Sequence, residues 1–306
     1  MRLAAIDIGS NAARLLISEV NVNNETVEFN KLNFVRVPLR LGFDVFETGI
    51  ISKQRLGMIL QTMKAYNHLI NVYEVSHVLA CATSAMRDAA NSQDIIRKAK
   101  LETGIEIEIL SGDLEATVIY ENHVAELMDT EHSYLYIDVG GGSTELTLFS
   151  DGKLAYKHSF NIGTIRLLKK LVEDITWNEM KDAIKSITKG RKKLVAIGTG
   201  GNINKVFSMS KRKDGKPLTI DVIKDYHKEL SAVSLTERIR LYKMREDRAD
   251  VIVPALQIYM NVMRWADAEE IYVPKIGLVD GLIQHLYNEI TKSDGPSKAA
   301  SQHLDS

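Results

Sequence analysis

The sequence predicts an α/β protein made of two related halves, and three observations carry that expectation. A strand ending in an aspartate, a small-residue turn and a second strand occur twice. The first copy is Leu3–Ile8 with Asp7, turning through Gly9-Ser10-Asn11 into Arg14–Val20; the second is Leu135–Val139 with Asp138, turning through Gly140-Gly141-Gly142 into the alternation of Thr144, Leu146 and Leu148. Around these copies, short apolar runs of strand type alternate with stretches of helical periodicity. Finally, 306 residues at 45% hydrophobic composition allow roughly two domains of ordinary size, each with its own core.

In chain order, Thr26–Val37 reads as a further strand, followed by Leu39-Arg40-Leu41-Gly42 and a loop. Ser52–Tyr73 carries Leu56, Ile59, Leu60, Met63, Leu69 and Ile70 at helical spacing, with Ser52 placed to cap the helix. Val75–Cys81 is a short buried strand, and Arg87 lies just past its end, where α/β domains gather ligand contacts. A helix over Ser92–Thr103 and a strand over Ile105–Leu110 lead to Ser111-Gly112, which opens a helix running to about Met128 with Glu115 in its first turn. Later come the strand Lys153–Phe160, a helix starting at Ile162-Gly163-Thr164-Ile165-Arg166, a helix over Thr176–Thr188 and the strand Leu194–Ile197. The turn Gly198-Thr199-Gly200-Gly201-Asn202 enters the next helix. Helices over Thr219–Leu230, Ser234–Leu241 and Asp247–Trp265, the strand Glu269–Val273 and a helix ending near Ile290 complete the chain, with a tail expected to fray from Ser293.

Thirty-nine basic and forty acidic residues leave a net charge of −1, which gives no support to a general nucleic-acid or membrane binder. The basic clusters Lys189–Lys193 and Lys211–Lys213 read either as solvated faces or as a track for a polyanion. The single cysteine, Cys81, excludes an internal disulfide and suits a reducing compartment. No run approaches the roughly 20 apolar residues of a membrane span, and Met1-Arg2-Leu3 enters a strand without a signal-peptide pattern, so a cytoplasmic location is expected.

The chemistry points to phosphate. Glycine turns let backbone N–H groups close around an oxyanion, so Gly9, Ser10 and Asn11 on one side and Gly140, Gly141, Gly142 and Ser143 on the other are candidate cradles. Gly163 and Thr164 offer further backbone donors and Arg166 a guanidinium, although a surface salt bridge also accounts for Arg166; Gly200 and Gly201 enter a helix in the manner of a nucleotide or phosphate turn. Glu115 fits either a first-turn carboxylate complementing a helix dipole or a functional group.

These residues make the chain resemble the exopolyphosphatase and guanosine pentaphosphate phosphohydrolase (Ppx/GppA) family, within the actin, hsp70 and sugar kinase superfamily. The matching runs are Ala5–Asn11 with Arg14-Leu15, Arg40-Leu41-Gly42, Ala82–Arg87 with Asn91, Ser111-Gly112 with Glu115-Ala116, Asp138–Leu146, Gly163-Thr164 with Arg166-Leu167, Gly198–Gly201 and Arg248–Ile252. Ala12 stands where the family often has serine, Asn202 where it has threonine, and Asn122-His123 where a glycine often precedes valine. The resemblance implies two ribonuclease H-like domains of the actin-like ATPase fold, each a mixed sheet flanked by helices, with the active site in the cleft between them. It places residues 1–120 plus 284–306 in the first domain and 121–283 in the second, the family's short form.

It further implies Glu115 as the catalytic base, Arg87 stabilising the transferring phosphoryl group, and Asp7, Asp138 and Glu145 placing Mg²⁺ or another divalent cation largely through waters. The expected activity is hydrolysis of the terminal phosphoanhydride of inorganic polyphosphate, with guanosine pentaphosphate as the competing substrate. An acceptor-dependent phosphotransferase and a non-catalytic phosphate or alarmone sensor are the alternatives from other classes. A homodimer is expected from the resemblance alone.

Overall fold

The computed structural model describes residues 1–23, 26–112, 114–115, 118, 131–191, 193–274 and 277–293. Two sheets form the frame. The first has the order β3-β2-β1-β4-β5, with β1 Arg2–Ile8, β2 Ala13–Asn23, β3 Thr26–Val37, β4 His77–Ala82 and β5 Ile107–Ile109. The second has the order β10-β11-β9-β6-β7-β8, with β6 Ser133–Val139, β7 Thr144–Ser150, β8 Lys153–Phe160, β9 Leu194–Thr199, β10 Leu218–Thr219 and β11 Glu270–Tyr272. Apart from the short β10, the two match strand for strand. Each begins with an antiparallel three-stranded meander, and its first strand then pairs in parallel with a later one. The duplication expected from the two aspartate hairpins therefore extends to whole sheets.

The helices around the first sheet are α1 Gly42–Thr48, α2 Lys53–Val72, α3 Ser84–Asp88 and α4 Ser92–Thr103. Around the second lie α5 Thr164–Leu168, α6 Asp174–Thr188, α7 Gly201–Ser210, α8 Ile220–Ser231, α9 Leu235–Tyr242, α10 Glu246–Ala249 and α11 Ile252–Trp265, and α12 Leu278–Ser293 follows. Ser52 caps α2 as expected, its side chain accepting from the Arg55 N–H. Of the helix expected between Ser111 and Met128, residues 112, 114, 115 and 118 are described and are helical. Its remainder, with Asn122 and His123, and the tail after Ser293 lie outside the described residues.

Two expectations need correction. A loop was expected after Gly42, but α1 forms there, because Leu41 and Val45 are both buried one turn apart and Gly49 closes the helix at φ 74°. The helix expected over Asp247–Trp265 is split into α10 and α11 at Asp250, whose carboxylate reaches across to Arg40.

Alternation in the central strands decides what each face meets. In β1, Ala4, Ile6 and Ile8 pack with Ile59, Met63 and Tyr66 of α2, whereas Leu3 and Ala5 pack with Leu278, Leu282 and Ile283 of α12. Asp7 belongs to the second set. The α12 helix thus returns to the first sheet, and position 284, the sequence-based boundary, falls inside it. In β6, Leu135, Ile137 and Val139 enter the larger core with Ala255, Leu256 and Tyr259 of α11, which leaves Asp138 on the other face.

The halves are closed on one another by polar contacts. Arg36 pairs with Asp247, Arg40 with Asp250, Arg166 with Asp88 and Lys169 with Glu47, while Asn11 Nδ2 donates to the Asp247 carbonyl at 2.9 Å.

Candidate active site

Strand register builds the site as two facing rows. Asp7 at the end of β1 lies opposite Arg14 on β2, and Arg14 lies opposite Arg36 on β3. On the second sheet Asp138 lies opposite Glu145 on β7, Glu145 opposite Ser159 on β8, and Asp138 also opposite Thr199 on β9. Directly opposed residues share a face with Cβ atoms roughly 5 Å apart, so each row is a set of touching side chains. Asp7 ion-pairs with Arg14, and Ser159 Oγ donates to Glu145 Oε1 at 2.8 Å.

A cavity of ≈ 430 Å³ opens between the rows, at the carboxyl ends of the central strands. Among the residues expected from sequence, it is lined by Asp7, Gly9, Ser10, Asn11, Glu115, Asp138, Gly140, Gly141, Ser143, Thr164, Gly200 and Gly201. The others lie behind its wall. Arg87 donates to the Leu110 carbonyl at 2.7 Å; Glu145 is buried in the same row as Asp138 but does not reach the cavity surface; Gly142, Gly163 and Arg166 pack outside the cavity.

The role expected of Gly163, Thr164 and Arg166 is altered by their hydrogen bonds. The Thr164 N–H donates to the Gly140 carbonyl (3.0 Å), the Ile165 N–H to Gly141 (2.8 Å) and Arg166 Nε to Gly142 (2.8 Å). The Thr164 N–H is thus occupied with the glycine turn, and the Arg166 guanidinium is held by Asp88 and stacked 4.0 Å over Phe46. Across a trans peptide the C=O and the next N–H point in opposite directions. With the three carbonyls turned to α5, the N–H groups of Gly141, Gly142 and Ser143 point away from it. The first amide of each turn is internally satisfied, Gly9 to Ala12 (3.1 Å) and Gly140 to Ser143 (2.9 Å).

Charge in this space is concentrated and desolvated. Burial raises the Glu115 pKa well above that of an ordinary glutamate, and Glu145, Asp138 and Asp7 raise it further against the opposing pull of Arg87. Glu145 is pushed up to about 7, first by burial and then by Asp138, with the Ser143 and Ser159 hydroxyls acting in the other direction. Burial also raises Asp7 and Asp138, and Arg14 moderates both. Asp7 Oδ1, Glu115 Oε2 and Glu145 Oε2 are buried with no hydrogen-bond partner. Orphaned carboxylate oxygens of this kind suit a cation approached through its own waters. Among the described residues no three acidic, histidine or cysteine side chains are grouped to ligate one ion directly.

Three arginines to which the sequence assigned no role line the same cavity, Arg14, Arg36 and Arg248, together with Lys31. Arg248 donates to Asn202 Oδ1 at 3.3 Å, and burial followed by Arg36 and Arg14 lowers its pKa to about 10. It lies so close to Gly201 that a Cβ there would meet its guanidinium at 2.4 Å. A charged residue inside the apolar runs Ala13–Ile17 and Phe34–Val37 was the available signal for the first two; Arg248 has none of this kind.

Paired α/β sheets with clustered carboxyls, arginines and glycine turns in the cleft define an enzyme of the actin-like ATPase architecture that acts on phosphoryl groups. The chain belongs to the Ppx/GppA phosphatase family, whose profile matches residues 21–289. It is 24% identical over 303 residues to exopolyphosphatase 1 of Mycobacterium tuberculosis, covering 92% of this chain and 87% of that protein. It is also 36% identical over 171 residues to the bifunctional 3-dehydroquinate synthase/phosphatase of Fusobacterium nucleatum, covering 55% of this chain and 26% of that longer protein. The crystal structure of the Aquifex aeolicus member of the Ppx/GppA family superimposes with a TM-score of 0.73 at 25% identity, covering 97% of this chain and 99% of that one.

Proposed function

We propose that the protein is an exopolyphosphatase, releasing orthophosphate from the end of inorganic polyphosphate by attack of water. The observation that carries the reading is the single cavity onto which Asp7, Glu115, Asp138 and the glycine turns converge. Hydrolysis of a phosphoanhydride requires charge neutralisation on the transferring group, an oriented water and in-line geometry. In this proposal the amides of Ser10 and Asn11 on one side and of Gly141 and Ser143 on the other bind the terminal phosphoryl oxygens. Arg14, Arg36 and Arg248 hold the following phosphates. Glu115, in its ionised form, takes the proton of the attacking water. Arg87, behind the wall, favours the ionised form of Glu115 and Glu145. Asp7, Asp138 and Glu145 would hold a hydrated Mg²⁺, which when bound supplies further neutralisation of phosphoryl charge.

A second reading, guanosine pentaphosphate as substrate, is favoured by one residue. Phe34 lines the same cavity yet is 53% exposed, and an inorganic chain has no use for an uncovered ring, whereas a base can stack on it. Orthophosphate release from polyphosphates of graded length, guanosine pentaphosphate and ATP, with and without Mg²⁺, ranks the substrates. In the same assay Glu115→Gln is expected to fold normally by circular dichroism and to lose about 10²- to 10⁴-fold in turnover. Near wild-type release from that variant would remove Glu115 from the mechanism.

A further inference from the structure

We infer that Ser159 is a positioning residue that sets two glutamates against each other: its hydroxyl fixes the carboxylate of Glu145, and its contact with Gly112 fixes the approach of the turn that carries Glu115. The inference rests on the proposed roles of those glutamates in hydrolysis.

Ser159 Oγ donates to Glu145 Oε1 at 2.8 Å, while Glu145 Oε2 stays buried and unpartnered. A carboxylate turns readily about its last torsion, which is broad and two-fold. The serine donor therefore determines which oxygen is left without a partner.

The same side chain touches the other half of the molecule. A Cβ built on Gly112 would lie 2.5 Å from Ser159 Cβ and 2.7 Å from its Oγ, so the Gly112 backbone rests directly on Ser159. Gly112 is not among the glycines with positive φ. Glycine is required there by the close approach, not by the backbone conformation. Gly112 lies within the turn that carries Glu115: the Glu115 N–H donates to the Ser111 carbonyl at 2.9 Å and the Leu114 N–H to Ser111 Oγ at 3.2 Å. Position 159 must thus combine a donor with minimal bulk: alanine loses the donor, and any side chain at Gly112 pushes the Glu115 turn away.

The test is a double-mutant cycle on orthophosphate release from inorganic polyphosphate, with guanosine pentaphosphate assayed in parallel and thermal unfolding recorded for each variant. Ser159→Ala keeps the contact and removes the donor, so kcat should fall about 10- to 100-fold, the range for losing a hydrogen bond to a charged group, with KM within about three-fold of wild type. Gly112→Ala should lower kcat by a similar factor in the wild-type background and have little effect in a Ser159→Gly background, since the clash is then gone. Wild-type kcat in Ser159→Ala, or equal effects of Gly112→Ala in both backgrounds, would overturn the inference. Should Gly112→Ala fail to fold, the kcat and KM of Ser159→Ala decide alone. Glu115→Gln in the same series separates the two levels: an inactive Glu115→Gln beside a fully active Ser159→Ala defeats the inference alone, and an active Glu115→Gln defeats the hydrolytic reading beneath it.

Discussion

A glutamate buried beside other carboxyls keeps its proton to a higher pH than the same residue in an unfolded chain, and that difference is readable as stability. Glu145 releases its proton near pH 4.5 when unfolded but at about 7 when folded. Across that window the unfolded state has already ionised while the folded state has not, so folding is progressively disfavoured as pH rises. Glu115, shifted in the same direction, adds to the effect. The Tm of the metal-free protein should therefore fall between roughly pH 4.5 and 7, and Glu145→Gln should flatten that decline; an unchanged slope would show that Glu145 titrates normally. At this scale the sequence was most informative where a residue sat beside a glycine turn, as Asp7 and Asp138 do. It was silent on Ser159, and it marked Arg248 within a matching run without giving its task, because their partners Gly112 and Asn202 are 47 and 46 positions away and share no local pattern with them.

At the scale of the element, the five residues of α5 matter more than their number implies. Three donors from that short helix hold the three carbonyls of Gly140, Gly141 and Gly142, and so aim the following amides. Gly163 is packed into the same turn: a Cβ would lie 2.4 Å from the Gly142 carbonyl carbon and 2.5 Å from that of Gly141, backbone atoms that cannot move aside alone. Gly163→Ala is expected to cost about 1–3 kcal/mol in urea unfolding, in the range for overpacking a tight site, and to lower orthophosphate release by more than the loss of folded protein accounts for. Periodicity found the long elements because α2, α4 and the central strands carry several turns or alternations of apolar residues. It missed α1 and the break before α11, since seven residues give too little period to read and the break depends on a partner, Arg40, in the other half. The identity of Arg166 was legible but its task was not; a guanidinium near a glycine turn looks the same whether it binds a ligand or a carbonyl.

The whole molecule is held shut by ion pairs that join sequence-distant edges of the cleft. The pairs are Arg40–Asp250, Arg36–Asp247, Arg166–Asp88 and Lys169–Glu47, and Arg40 and Lys169 both sit on the Phe43 ring. Arg40 and Asp250 are 23% and 12% exposed, between surface pairs worth below about 1 kcal/mol and buried ones whose breaking costs about 3–5. Asp250→Asn should accordingly destabilise closure by about 1–3 kcal/mol, seen as a larger radius of gyration in small-angle scattering and a raised KM with kcat less affected. An unchanged scattering profile would show that closure does not depend on this pair. Duplication was legible from the paired aspartate hairpins because each repeats a local pattern. How the two copies interlock was not, because no residue in one copy indicates its partner in the other.

The backbone passes from the first sheet to the second after Ile109 and comes back before Leu278, and these passages meet where a Cβ on Gly281 would lie 2.1 Å from the Val118 carbonyl oxygen. Backbone rests on backbone there, so a side chain at position 281 would have to displace the chain at Val118.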